Sequence, residues 1–370
     1  MTLKLILAFV IAFAVSAVVG FFLVPYLKRI KAGQSIKENG PTWHMSKQGT
    51  PTMGGIMFIL GAGVTVFILG WSFMLEGVFW HLYVYLFALI FGLIGFVDDY
   101  RKVRQHQNEG LTAKQKFVLQ LLAAVVFLCL MRYEGLLTND LYIPFVNVTL
   151  TVNWIVYLIF AAFVIVGCVN SVNLTDGIDG LASSVTAVVM AFFMGAAMIW
   201  KFTTLGIFSS ALCGSLVGFY ALYNRHPAKC FMGDTGSLTI GMMTCILSLK
   251  LLDGFPVNHS MQQPNAFFLA YSPLIIPCFD VVRVYLHRVR NGKNPFLPDK
   301  NHIHHKMLAV GMRQRTVMIA IVLVSVCFTL CNILLSRYIN VTLLLILDIF
   351  IWILGNLWLT RRIHIAHSKL

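Results

Sequence analysis

Acidic residues are scarce in this chain: 14 Asp and Glu stand among 370 residues, against 28 Lys and Arg. Charged residues of both signs make up only 11% and apolar ones 58%, where an ordinary soluble domain carries roughly 25% charge, so a water-soluble enzyme is excluded. No Cys-x-x-Cys spacing occurs among the eight cysteines, and seven of them lie in apolar runs. That pattern argues against a disulfide framework or a thiolate zinc site and reads as small buried hydrophobes in a reducing compartment. There is no sequence repeat, no low-complexity tract and no polar stretch able to form a separate soluble domain. The first apolar run has no small-residue cleavage pattern, so it reads as a membrane span and not as a signal peptide.

What is present is a succession of runs long enough to cross a bilayer about 30 Å thick at about 20 residues each. They fall near 3–27, 53–75, 78–97, 117–131, 152–169, 181–200, 204–223, 235–252, 266–286, 316–335 and 341–360, the fourth being short. The expected fold is all-α: a polytopic integral membrane protein of about eleven transmembrane helices. With residue 1 outside, the inward segments hold 23 of the 28 Lys and Arg. This positive-inside bias predicts an N-terminus outside and a C-terminus in the cytoplasm. The net charge of +14 is then a cytoplasmic belt facing anionic headgroups, and no nucleic-acid partner is expected. One membrane-embedded domain spanning 1–370 is expected, its active site built from cytoplasmic loops 28–52, 98–116, 170–180, 224–237 and 283–315.

Five of the 14 acidic residues sit in three short segments at the edges of apolar runs: Phe96-Val97-Asp98-Asp99-Tyr100, Asn173-Leu174-Thr175-Asp176-Gly177-Ile178-Asp179-Gly180 and Gly233-Asp234-Thr235-Gly236-Ser237. Each would cost roughly 2.5–3.5 kcal/mol inside lipid, so their concentration needs a reason. Adjacent carboxylates at the end of a span oppose the helix dipole, which calls for a compensating cation. Lys102 alone could serve as that counterion for an isolated Asp pair. Asp176 and Asp179, three apart, can share one side of a turn; a plain capped turn explains one Asp and one Gly, but not the doubled pattern with Asn170 and Asn173 before it. Asp234 opens a span between glycines, where a carboxylate can hold a divalent cation while N–H groups face an anion; a simple helix cap is the bland alternative. All three segments fall on the predicted cytoplasmic side.

The fourth polar cluster is His302-Ile303-His304-His305 among Arg288, Arg290, Lys293, Lys300 and Lys306. It lacks Cys, and its cationic surroundings repel a metal, so it reads as a pocket for pyrophosphate or sugar. Asp280 is close enough to Arg283 for an intrahelical ion pair, and Asp348, inside an apolar run, is left outside the site.

Together these residues resemble the polyprenyl-phosphate N-acetylhexosamine-1-phosphate transferases of glycosyltransferase family 4, over nearly the whole chain. His44 through Gly55, Gly110 to Lys116 and Asn173 to Gly180 are similar to the branch acting in peptidoglycan synthesis, the phospho-N-acetylmuramoyl-pentapeptide transferases. Arg288 to Phe296 and Pro298 to His305 are similar to the N-acetylglucosamine-1-phosphate branch that begins O-antigen, enterobacterial common antigen and teichoic acid linkage synthesis. The pentapeptide branch usually has three consecutive His residues where Ile303 interrupts them here, and ten spans where eleven are read here. The sugar-recognising loop is therefore weighted toward UDP-N-acetylglucosamine, with the pentapeptide reaction as the alternative.

The resemblance implies Mg2+-dependent transfer of a sugar 1-phosphate from a UDP-sugar to undecaprenyl phosphate, with Mn2+ as a substitute metal and UMP as the product. The protein would then lie in the bacterial cytoplasmic membrane with its active site facing the cytoplasm; the resemblance also admits a homodimer. It places Asp234 on the metal, Asp98 at the attacking lipid phosphate and Asp99 in support of the cation or phosphates. Lys47 falls in the front-half motif as a substrate-binding residue, and Lys102, Lys114 and Lys116 would hold phosphate. Asn173, Asp176, Asp179, Asn224 and Phe231 would shape the uridine and sugar pocket, and His302, His304 and His305 would contact pyrophosphate or sugar. From another class, an ion-coupled transporter would also keep acids in a membrane, but near the midplane instead of at one face. A polyprenyl-pyrophosphate phosphatase is a second enzyme reading, separable by UMP release.

Overall fold

In a bilayer every backbone N–H and C=O must be satisfied within the chain, so runs this apolar fold as helices. The computed structural model describes residues 1–30, 32, 49–105, 110–143, 145–146, 148–252, 268, 270–292 and 301–367. In chain order the elements are α1 (Thr2–Arg29), α2 (Gly55–Leu75), α3 (Trp80–Gln105), α4 (Ala113–Tyr133), strands β1 (Asp140–Ile143) and β2 (Val148–Thr151), α5 (Trp154–Thr175), α6 (Leu181–Trp200) and α7 (Thr203–Phe219). They continue with α8 (Gly233–Leu252), α9 (Ile275–Arg290), α10 (Ile303–Ala309), α11 (Gln314–Leu335) and α12 (Val341–His367).

Among the described residues, nine helices are long and apolar enough to cross a membrane: α1 to α6, the seventh helix through Asn224, α11 and α12. The protein is a polytopic, essentially all-helical membrane protein. Helix α8 occupies the run expected at 235–252, and the run expected at 266–286 begins outside the described residues, with α9 covering its second half. Among the described residues the one departure from the all-helical expectation is a small antiparallel hairpin, with Asp140 opposite Thr151 and Ile143 opposite Val148.

The chain divides into two compact units, residues 1–127 with 164–247, and residues 128–163 with 248–370. In the first, α7 packs against α1, α2 and α6, and α2 packs against α1 and α3. Lipid tails are as apolar as the side chains, so helices in a membrane associate through close packing and interhelical hydrogen bonds. Accordingly Ser210 Oγ on α7 donates to the Leu5 carbonyl of α1 at 2.6 Å, and Tyr223 Oη donates to the Ala17 carbonyl at 2.7 Å. The seventh helix ends in a π-helical turn, Tyr220–Asn224, a widening that often marks functional positions; it carries Asn224 into the buried interior.

In the second unit α10 packs on α11 and α12, and α9 packs on α11. Asp348, left outside the site by sequence, is buried there. Asn332 Nδ2 of α11 donates to its Oδ2 at 2.8 Å and to Ser272 Oγ at 2.9 Å, so the carboxylate is satisfied across helices instead of facing lipid.

Candidate active site

The start of α8 is fixed from two directions. Phe231 N–H donates to the Pro51 carbonyl at 2.8 Å, while Gly54 and Gly55 donate to the carbonyls of Phe231 and Met232 at 2.8 and 2.9 Å. Gly55 lies so close to Gly236 that any Cβ there would collide with backbone, which is why the motif needs a glycine at this point. From the other side, Asp99 near the end of α3 reaches the first turn of α8. Its Oδ1 accepts the Asp234 N–H at 3.2 Å, and its Oδ2 accepts the Thr235 N–H at 2.9 Å and the Thr235 hydroxyl at 2.7 Å. Gly233 before them has φ +75°, and a Cβ there would come within 2.5 Å of Asp99 Oδ2. Asp99 thus caps α8 in the manner of an N-cap side chain, but from a different helix.

That cap sets Asp234 beside Asp98. Carboxylate oxygens of Asp98, Asp99 and Asp234 all lie within 4.8 Å of one another. Asp98 is fully buried; its Oδ1 accepts the Leu111 N–H at 2.6 Å, and its Oδ2 pairs with Lys102 at 2.6 Å and Lys116 at 2.9 Å. Lys102 also lies 3.5 Å from Asp234 Oδ2, and Lys116 pairs with the same oxygen. Asn173 Nδ2 of α5 donates to Asp234 Oδ1 at 3.1 Å and to Ser237 Oγ at 2.7 Å. Burial would raise the Asp234 carboxyl, but Lys102 and Lys116 outweigh it and hold it well below the usual carboxylate range.

An all-oxygen cluster of this kind suits a hard divalent cation such as Mg2+. The Asp99 oxygens cap α8, whereas Asp98 and Asp234 each turn an oxygen to the Lys102 and Lys116 ammonium groups, so these two are the carboxylates that would take a metal in exchange for those cations. The two ammonium groups now lie against those oxygens, so the cluster already neutralises itself with positive charge.

The structure brings together Asp98, Asp99, Lys102, Lys116, Asn173 and Asp234 of the expected set. Lys114 is exposed, since two residues along a helix from Lys116 is a different face. Asp176 is half-buried in the turn after α5. Asp179 Oδ2 pairs with His226 Nδ1 at 2.7 Å and accepts the Ala228 N–H at 3.2 Å. The Asn224 amide is engaged at both ends: Oδ1 accepts the Ser183 hydroxyl at 2.9 Å and Nδ2 donates to the Cys230 carbonyl at 3.1 Å. These two side chains brace the loop that carries Phe231, which is half-buried. Lys47 lies outside the described residues.

In the second unit, His302 and His304 are buried with parallel rings 5.8 Å apart, and the rings of His304 and His305 are 4.2 Å apart. The expected Asp280–Arg283 pair is present at 2.7 Å. Asp280 does more than that: it binds His302 Nδ1 at 2.8 Å and accepts the Ile303 N–H at 3.1 Å, capping α10. Burial and Arg283 push the neighbouring Lys306 down to about 8, against an opposing pull from Asp280.

Sequence reasoning missed Thr235, Ser237, His226 and Gln120. Thr235 and Ser237 stand within the Gly233–Ser237 motif itself, and Gln120 lies one helical turn beyond Lys116 on the same face of α4.

Residues 81–252 match the model of glycosyl transferase family 4, and residues 47–59 match signature 1 of the phospho-N-acetylmuramoyl-pentapeptide-transferases. The chain is 39% identical over 328 residues to the phospho-N-acetylmuramoyl-pentapeptide-transferase of Thermoanaerobacter sp. (strain X514), covering 87% of this chain and 95% of the relative. It is 43% identical over 249 residues to the protein of that name from Clostridium botulinum (strain Alaska E43 / Type E3), covering 66% and 74%. Against that of Bacillus subtilis (strain 168) it is 42% identical over 244 residues, covering 65% and 73%. These relatives favour the peptidoglycan branch over the N-acetylglucosamine branch that the far end of the sequence suggested. With a relative matched over almost its whole length and the acidic segments 98–99, 173–180 and 234 inside the matched region, the chain belongs to glycosyl transferase family 4.

Proposed function

We propose that this protein transfers phospho-N-acetylmuramoyl-pentapeptide from its UDP conjugate to undecaprenyl phosphate, releasing UMP and forming the first lipid-linked intermediate of peptidoglycan. An oxygen of the lipid phosphate attacks the phosphorus bonded to the sugar; the bond from that phosphorus to the bridging oxygen breaks, and UMP leaves with that oxygen. The observation that carries the reading is the Asp98–Lys102–Lys116–Asp234 cluster, where two ammonium groups lie against two carboxylates at one end of the helices. Two anionic substrates can approach only where positive charge is fixed in advance, and Asp98 holds both lysines for that purpose. The lipid phosphate is largely ionised near neutral pH, so it needs placing more than deprotonating. Asp234, with Asp98 beside it, would hold Mg2+, which when bound neutralises pyrophosphate oxygens and eases departure of UMP.

The Lys and Arg bias supports a cytoplasmic face for this cluster and a place in the bacterial cytoplasmic membrane. The pentapeptide donor is supported by the signature at 47–59, whose Pro51–Gly55 part is hydrogen-bonded to the Phe231–Met232 segment. A second reading, transfer of N-acetylglucosamine 1-phosphate, is favoured by Ile303 interrupting the His cluster. Purified protein with Mg2+ and undecaprenyl phosphate is to be assayed for UMP release with each donor. Turnover of the pentapeptide donor is expected, and turnover of UDP-N-acetylglucosamine alone would reverse the choice. Asp234→Ala should abolish release while leaving membrane insertion intact.

A further inference from the structure

One helical turn deeper than Lys116 and Asn173, α4 and α5 bring a pair of amides together. Gln120 is fully buried, and its Oε1 accepts the Asn170 Nδ2 at 2.6 Å. The same Asn170 nitrogen donates to the Val166 carbonyl at 2.8 Å. That carbonyl can only accept, so it fixes which end of Asn170 is nitrogen; the Asn170 nitrogen in turn fixes which end of Gln120 is oxygen. The Gln120 Nε2 is thereby set as a donor pointing away from Asn170, and it is buried with no hydrogen-bond partner among the described residues. A stranded amide donor costs about 1–3 kcal/mol, an odd feature in a helix whose next eight residues, 121–128, are all Leu, Ala, Val or Phe.

The position explains it. Gln120 follows Lys116 by four residues and Asn170 precedes Asn173 by three, so both lie on the helix faces that carry the site. They stand on the membrane side of it, toward the interior of α4.

We propose that Gln120 Nε2 donates to an oxygen of the acceptor lipid's phosphate, making Gln120 a binding residue for the prenyl phosphate. The inference rests on the reaction proposed above. The donor nucleotide enters from water, whereas the lipid phosphate comes along the membrane surface on a prenyl chain that lies in the bilayer, and Gln120 stands one turn from Lys116 toward that chain.

The test uses the purified full-length protein with Mg2+, the pentapeptide donor and undecaprenyl phosphate, each substrate varied in turn. Gln120→Met removes both polar atoms at similar volume. Gln120→Glu keeps an oxygen for Asn170 but loses the N–H donor and adds charge. Both variants are expected to raise the KM for undecaprenyl phosphate about tenfold and to leave the donor KM within about twofold. An unchanged lipid KM in Gln120→Glu overturns the inference, because the amide then only braces α4 to α5. A raised donor KM in place of the lipid KM overturns it as well. Absence of UMP release from the unmodified protein with either donor would instead remove the proposed reaction, and this inference with it.

Discussion

Asp99→Asn and Asp99→Ala should separate a positioning carboxylate from a reacting one. The Asp99 carboxylate accepts from two backbone N–H groups and one hydroxyl at the start of α8, and it is buried. Asparagine can keep its oxygen where Oδ2 now sits, retaining both Thr235 bonds and losing only the 3.2 Å bond to the Asp234 N–H. One lost bond of this kind costs about 1 kcal/mol. Alanine strands all three donors out of reach of water, and because they share one carboxylate their losses do not add fully; about 3 kcal/mol is expected. The freed first turn lets Asp234 move, and a displacement of about 1 Å at a reacting centre can cost about a hundredfold in rate. UMP release should therefore fall about tenfold in Asp99→Asn and at least a hundredfold in Asp99→Ala, with a weaker apparent Mg2+ dependence in both and a graded loss of thermal stability in detergent. If Asp99→Asn lost about ten-thousandfold in rate with stability and Mg2+ dependence unchanged, the cap would be incidental and the carboxylate would act on the reacting atoms.

Asp280→Ala should unfold the His segment: it leaves the Arg283 guanidinium without its carboxylate, a change worth about 3–5 kcal/mol for a buried pair, whereas Asp280→Asn keeps an acceptor for Ile303 and should cost less than half as much in thermal unfolding. Asp348→Leu removes the acceptor that Asn332 uses across helices and should lower stability by about 1 kcal/mol, the usual size of an interhelical hydrogen bond in a membrane, with Asp348→Asn close to the unmodified protein. Lys306 sits near 8 in the folded protein against an ordinary 10.5, so the folded state binds fewer protons than the unfolded state between those values. Stability then rises with pH across that window; relative to Lys306→Met, the unmodified protein should gain thermal stability from pH 8 to pH 10, and a loss would reverse the assignment.

Much of this was legible in the sequence because membrane composition makes polar residues conspicuous. Asp98, Asp99, Asn173 and Asp234 stood out as rare polar groups at the ends of apolar runs, and they converge. The sequence said less about what each carboxylate touches, since much of that depends on pairings between distant residues, 118 positions for Lys116 and Asp234 and 136 for Asp99 and Thr235. Asp179 and Asn224 show the same limit: the sequence places both in a pocket, and the structure adds that Asp179 Oδ2 binds His226 and Ala228 while the Asn224 amide binds Ser183 and Cys230. The β-hairpin at 140–151 was hidden because its strands are four residues each, too short to show a period.

The disagreement between the two ends of the sequence has a physical reading. Moving a phosphoryl group between two anions constrains where carboxylates and ammonium groups stand, and it does so whichever sugar rides on the phosphate. Segments bound by that requirement, 51–55, 98–116, 173–180 and 231–237, therefore report the reaction and say little about the sugar. The His segment is held by its own carboxylate, Asp280, through bonds to a backbone N–H and a ring nitrogen. The backbone bond is indifferent to the side chain at 303, so the cap on α10 survives whether that residue is Ile or His. A position that folding leaves free in this way is open to be set by the substrate, which is why the second reading proposed above turns on Ile303, while membership of the family rests on the matched relatives.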